Sequence, residues 1–482
     1  MRRPLAALSL VVAITACDQR ADVRVLADAT ADVATNPRGD RAGEAGSWVF
    51  TAGGPGSDFG RMVIDPETGE VTVAGRFQGT ATFGDWTIST DAVDAFFVAR
   101  LEPSGKLRWV VPVQAATSAL AAWPRVAVDS AGNAYLSAAG FTGGATAGVL
   151  KAEAEGPNNV LLVKIDRDGV PRWALPLGGP KTEPFSYSHS TPVGVDATGA
   201  VTLTGVFAGT MQLGNTELVS KGASDLFVAR LDPEGKVLWA KGAGGAADDR
   251  ANAIAVDAAG GVTIAGTLWG AASFGEHTLE TTRKGELYVA RLDAGGSFRW
   301  ASTAASSGRP SLGGWPIDLM VDQAGNAYVG GHAYAGAVGA CLPLVAAVDA
   351  TGRFLWELVA EGTPTDGRDA GSKAVIDKAG RLRVTGWFTG IKRFDASHGV
   401  MAAGGEDIFL ASLDPKTGAV HSVESHGGAG NDNGYALAID REGSLYLGGV
   451  FGQSVSLAGH TLQARGGTDL FVWKLPPSSP EP

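Results

Sequence analysis

The sequence predicts an all-β chain built from one repeated unit. Two observations carry this. Six tryptophans, Trp48, Trp109, Trp173, Trp239, Trp300 and Trp356, recur at gaps of 61, 64, 66, 61 and 56 residues, and His421 stands in a degenerate seventh copy 65 residues on. A period of this size marks one structural unit repeated along the chain. Around each tryptophan the same phrase also returns, as in Asp225 to Leu268, with four short runs, LFVARLD, KVLWAKG, AIAVD and GVTIAGTL. Each run is rich in β-branched or aromatic residues and bounded by Gly, Pro or Asp, which is the signature of strands joined by tight turns. No long 3.6-residue periodicity occurs after the first twenty residues.

Each element has a local reason. In LFVARLD the residues Phe227, Ala229 and Leu231 fall on one side of a strand. The D-P-E-G and D-A-A-G stretches supply hairpin turns. Four strands in about sixty residues describe one blade of a β-propeller, and a blade needs neighbours to cover both faces. Naming the strands A (AIAVD), B (GVTIAG), C (LFVARLD) and D (KVLWAKG), the terminal aspartates of the A strands are Asp65, Asp129, Asp196, Asp257, Asp322, Asp377 and Asp440. The expected architecture is therefore a seven-bladed β-propeller of four-stranded blades. A lone D strand surrounds Trp48 and a C strand, DLFVWKL, ends at Leu475 without a D strand after it. Pairing the two closes the ring, the N-terminal strand completing the last blade, and removes two exposed edges.

The phrase D-x-F-V-A-R-L-D-x-x-G-x-x-x-W, then G-G-x-x-x-D, then I-A-V-D-x-x-G-x-x-x-x-x-G-x-F, resembles the seven-bladed β-propeller repeat family abbreviated SBBP. The resemblance covers residues 46 to 475 and departs in blade 2, blade 5 and the last D strand. It implies a scaffold found in bacterial envelope and secreted proteins, and no particular reaction.

The N-terminus suggests a location. Arg2 and Arg3 precede an apolar run from Leu5 to Ile14, too short to span a bilayer. The run leads into Ile14-Thr15-Ala16-Cys17, which resembles a bacterial lipobox, the cysteine thiol taking a diacylglyceryl group. The expected organisation is a lipoprotein signal peptide over residues 1–16, a lipidated Cys17 with a flexible tether to residue 45, the propeller over 46–476 and a disordered tail over 477–482. Two or more acyl chains hold where one does not. A tether of this length reaches about 25–30 Å on average. The expected site is the bacterial cell envelope, at the outer membrane or the periplasmic face of the inner membrane. Loss of Arg2 and Arg3 takes the formal charge from -11 to -13. With no Lys/Arg cluster in the repeats, nucleic-acid binding is not expected. The second cysteine, Cys341, reads as a small buried apolar residue, an intermolecular disulfide being the alternative.

Candidate chemistry is sparse. The seven A-strand aspartates sit in D-x-x-G or D-x-x-x-G and read as turn residues rather than a metal ring. G-G-x-G-x-D occurs at Gly53 to Asp58 and again, as G-G-A-G-N-D, at Gly427 to Asp432, too far apart for the tandem calcium repeat. The seven histidines show no H-E-x-x-H, and there is no G-x-S-x-G. No metal, cofactor or catalytic residue is expected.

What breaks the repeat points to binding. Blade 2 enters through A-A-W-P with Trp123 and has an altered segment from Thr142 to Asn159. Blade 3 carries Tyr187 and His189 in a polar loop, and blade 5 enters through G-G-W-P with Trp315 and continues through His332 and Tyr334. Exposed aromatics in such loops offer contact area at low entropic cost. The alternative is that Trp123 and Trp315 pack between blades. The reading is a lipid-anchored, non-catalytic binding or scaffolding protein for an envelope protein or carbohydrate. The alternatives are a propeller enzyme, such as a polysaccharide lyase or hydrolase, and a purely structural surface protein.

Overall fold

Sheets built from short antiparallel strands account for nearly all the ordered structure; one 3-10 turn, Ala305–Ser307, is the only helix among the described residues. The computed structural model describes residues 46–117, 123–156, 159–178, 191–281, 285–309, 313–335, 340–362, 369–457 and 459–475. No helix among them is long and apolar enough to cross a membrane. The chain is all-β and propeller-like, with the strands of each repeat pairing in the order A, B, C, D. One such sheet is Asp249–Val256, Val262–Leu268, Glu286–Leu292 and Phe298–Thr303.

The A strands are the innermost. They are Phe59–Ile64, Arg125–Val128, Val193–Val195, Asp249–Val256, Gly314–Val321, Ala370–Ile376 and Asn433–Ile439. Each lies against the next, and the last lies against the first. Trp48–Gly53 pairs antiparallel with the C strand ending at Lys474, in the register Trp48↔Lys474, Phe50↔Val472 and Ala52↔Leu470.

Packing follows from strand alternation. Phe227, Ala229 and Leu231 join a buried cluster with Tyr135 and Leu162 of the preceding unit. Leu226 and Val228, on the opposite face, pack with Ile264 and Tyr288 of the following unit. Both faces of a unit are thus apolar, and each unit's burial depends on two neighbours.

The structure adds an element that the repeat phrase did not reveal. Between strands B and C lies a short hairpin, such as Thr80–Phe83 with Trp86–Ser89, and Ala272–Phe274 with His277–Leu279. Such hairpins pair with the D strand of the preceding unit, as at Ala52↔Phe83 and Gly244↔Ser273, or with the short strand just after it, as at Glu361↔Arg393. The four strands A to D of a unit are thus supplemented by a hairpin. The alternating F-G-x-x-x-L stretch is too short for its period to stand out from a loop. Within the segment Thr142 to Asn159, irregular in sequence, residues 144–153 form the same device. Ala147 and Thr146 pair with Leu150 and Lys151, and also with Val113 and Gln114 of the unit before.

Candidate functional site

The repeated residues are joints. Each of the six recurring tryptophans donates its indole N–H to a main-chain carbonyl in the C–D turn of the next unit. The acceptors are Pro103 for Trp48, Arg167 for Trp109, Pro233 for Trp173, Ala294 for Trp239, Ala350 for Trp300 and Pro415 for Trp356, at 2.9–3.2 Å. Beneath Trp48 lies Gly105, at φ 83°, and a Cβ there would stand 2.6 Å from the indole. A glycine is required on both counts. His421 occupies the one copy where this joint has no turn to reach. The next C and D strands are the ones ending at Lys474 and beginning at Trp48, which no single turn connects.

The A-strand aspartates act as turn acceptors. Asp129 accepts the N–H of Ala131 at 3.0 Å and of Asn133 at 2.8 Å, and Asp257 accepts those of Ala259 and Gly261 at 2.9 Å. Several also meet a basic residue: Asp196 pairs with Arg230, and Asp440 lies 3.4 Å from Lys474. The G-G-x-G-x-D aspartates likewise serve the backbone. Asp58 accepts from Gly54 at 2.6 Å, and Asp432 from Gly452 at 3.2 Å.

The candidate binding residues fall into two aromatic groups. Trp123 is 36% exposed and meets the Phe59 ring edge-on at 4.3 Å between centroids, with Tyr435 at 5.9 Å. Tyr435 in turn meets Trp387 at 5.1 Å. This group therefore gathers side chains from four units. Trp315 is half-buried and stacks on His332 at 6.5 Å, and His332 meets Tyr334 at 5.6 Å. Burial raises the Tyr334 phenol to about 12. Trp269 and Arg250 of the neighbouring unit complete the second group, at 6.2 Å and 5.0 Å from Trp315. Both tryptophans thus pack between units, and Trp123 also keeps an exposed face. Cys341 is buried, opposite Tyr334 in register. Tyr187, His189 and Cys17 lie outside the described residues.

Sequence reasoning missed a set of charged residues at the centre. A cavity of about 370 Å³ is lined by A-strand residues of all seven units, among them Arg61, Arg125, Asp318, Lys373 and Tyr435. Lys373 Nζ lies 2.9 Å from Asp318 Oδ1. The guanidinium groups of Arg125 and Arg61 stand off at 3.7 Å and 4.0 Å from Asp318 Oδ2. Arg125 donates to the Ile317 carbonyl at 3.0 Å, and Arg61 to the Tyr435 carbonyl at 3.3 Å. Burial opposes ionisation of Asp318, but Lys373, Arg125 and Arg61 overcome it and hold the carboxyl below its usual range. Burial lowers both arginines, and for Arg125 the like charge of Arg61 adds to the effect. A signal was present. Counting back four residues from each A-strand aspartate gives Arg61, Arg125, Pro192, Ala253, Asp318, Lys373 and Ala436. Four of these seven are charged on strands that are otherwise apolar, at one level of the repeat.

No protein-family model matches the sequence, and no curated protein matches it. Solved structures resemble it at low identity. A protein of unknown function from Bacteroides caccae is 12% identical, with 68% of this chain and 94% of that one covered at a TM-score of 0.33. The quinohemoprotein alcohol dehydrogenase of Comamonas testosteroni is 10% identical over 90% and 77%, at 0.40. The Hadza microbial sialidase Hz136 is 10% identical over 89% and 93%, at 0.38. At these levels none lends its chemistry to this chain.

Proposed function

We propose that the chain is a lipid-anchored cell-envelope protein whose residues 46–476 form a seven-bladed β-propeller of the SBBP-repeat type, acting as a non-catalytic binding or scaffolding protein for a protein or carbohydrate ligand. Three observations support the closed ring: the circuit of inner strands, the pairing of Trp48–Gly53 with the last C strand, and the loss of the tryptophan at His421 where no turn can receive it. The binding reading is carried by Trp123, a large apolar side chain left 36% exposed although Phe59 and Tyr435 hold its orientation. A fixed, half-open aromatic is the usual anchor of a recognition surface.

The test is capture from envelope extract by the full chain. Trp123→Ala should weaken capture by about 1 kcal/mol or more while the fold persists. Equal capture by the variant would contradict the reading. The anchor is tested separately: Cys17→Ser should abolish palmitate incorporation and release the protein from membranes, and undiminished labelling would overturn it.

A further inference from the structure

We propose that the central cavity is an oxyanion site, in which Arg61, Arg125 and Lys373 take the carboxylate or phosphate group of a small ligand. This goes beyond the binding reading above, because it stands on channel residues and holds whether or not the outer loops bind anything.

The argument begins with charge. Three cations face one carboxylate, and among the residues lining the cavity Asp318 is the only acid. A buried charge is costly unless it is paired and hydrogen-bonded. Of the three cations only Lys373 lies within hydrogen-bond reach of Asp318, which also accepts the Leu319 N–H; both guanidinium groups are beyond it. Arg61 is 8% exposed, and its Nε is buried with no hydrogen-bond partner among the described residues. Burial lowers the proton affinity of both arginines, and for Arg125 the like charge of Arg61 adds to the effect.

Geometry agrees. The charged residues occupy one register position of the repeat, so they share a level of the channel. A guanidinium presents donors in a planar fork suited to carboxylate and phosphate oxygens. The cavity is far larger than the roughly 30 Å³ that one water occupies, and falls in the range of small-molecule sites. The Arg61 guanidinium also lies 5.4 Å from the Tyr435 ring and 5.9 Å from that of Phe59, which leads to the exposed Trp123. A ligand with its anion on the arginines would meet Tyr435, the one aromatic among the residues lining the cavity. A tyrosine ring suits either a planar ring or the apolar face of a sugar.

The test is titration calorimetry on the full chain with sodium phosphate, sodium benzoate and sodium glucuronate, with sodium chloride as control. At least one oxyanion should bind with a Kd below about 1 mM. Arg125→Gln and Lys373→Gln should each weaken that binding ~10-fold or more, the loss expected for one charge-assisted contact. Asp318→Asn should tighten it, because the competing carboxylate is gone. The tightest probe identifies the source of the anion: phosphoryl group, aromatic acid or acidic sugar. If Arg125→Gln fails to fold, Arg125→Lys, which keeps the charge, should retain binding, and Asp318→Asn still reports in the opposite direction. No binding of any probe, affinity unchanged in both glutamine variants, or weaker binding in Asp318→Asn would each overturn the proposal. Envelope capture that survives such a result would leave the loop reading standing alone.

Discussion

The tryptophan joints and the channel level are built from the same repeat and obey opposite rules. At the joints every unit that has a turn to reach carries the same residue with the same bond, from Trp48 to Pro103 through Trp356 to Pro415. At the channel level Arg61, Arg125, Pro192, Ala253, Asp318, Lys373 and Ala436 differ almost unit by unit. Identity in every copy is what a scaffold requires, since each interface solves the same packing problem. A single site on a repeated scaffold requires the reverse, because a ligand can be placed uniquely only where the copies differ.

This contrast can be broken first at the seam. Deleting residues 46–53 removes the strand that carries Trp48, Phe50 and Ala52, and leaves the C strand Asp469–Leu475 with an open edge. The loss exceeds that of one large core residue, about 3–5 kcal/mol. The deletion should melt at a lower temperature and elute as aggregate. An unchanged melt with monomeric elution would refute the closure.

Asp318→Asn comes next. It leaves three cations without their carboxylate, and removing one partner from this partly buried cluster costs about 1–3 kcal/mol. Added phosphate should recover part of the loss. A variant as stable as the parent without phosphate would show that the channel charges are solvated rather than uncompensated.

A smaller effect is expected at one joint. Trp239→Phe keeps most of the ring and removes the bond to the Ala294 carbonyl, so it should cost about 1 kcal/mol in a denaturant melt. An equal melt would reduce the period to a matter of bulk alone.

The acidic strand ends give a pH dependence. Burial raises Asp58, Asp249 and Asp469 to about 6 and Asp432 to about 7, helped for Asp58 by the Asp469 charge and for Asp432 by Asp407. A carboxyl raised in the folded state is destabilising once ionised. Its cost builds as pH rises from the unfolded value near 4 through the folded value, and is complete above it. The protein should therefore melt at a higher temperature at pH 5 than at pH 8, and Asp432→Asn should flatten the difference. A melting temperature that climbs with pH over that window would contradict the assignment.

Much of the scaffold was legible because it is periodic. Strand order, both buried faces of LFVARLD and the partner of the Trp48 strand all follow from repeated spacing. The inter-unit hairpins were not legible: Thr80–Phe83 and Trp86–Ser89 are four residues each, and their pairing is with a different unit. The candidate site was read only in part. Trp315, His332 and Tyr334 meet as their proximity in sequence suggested, but Trp269 and Arg250 join them from a neighbouring unit. Arg61 and Arg125 were hidden because each alone looks like an ordinary strand arginine. Only alignment of the seven A strands at one register position brings them together with Asp318 and Lys373.

The most direct test of the contrast is a paired measurement of melting temperature and phosphate affinity for Trp239→Phe and Arg125→Gln. The account predicts a double dissociation. Trp239→Phe should lower the melting temperature and leave the phosphate Kd unchanged. Arg125→Gln should weaken phosphate ~10-fold or more and, without ligand, melt no lower than the parent. If Arg125→Gln instead unfolds the protein and Trp239→Phe alters phosphate affinity, the division between repeated scaffold and unrepeated site is wrong.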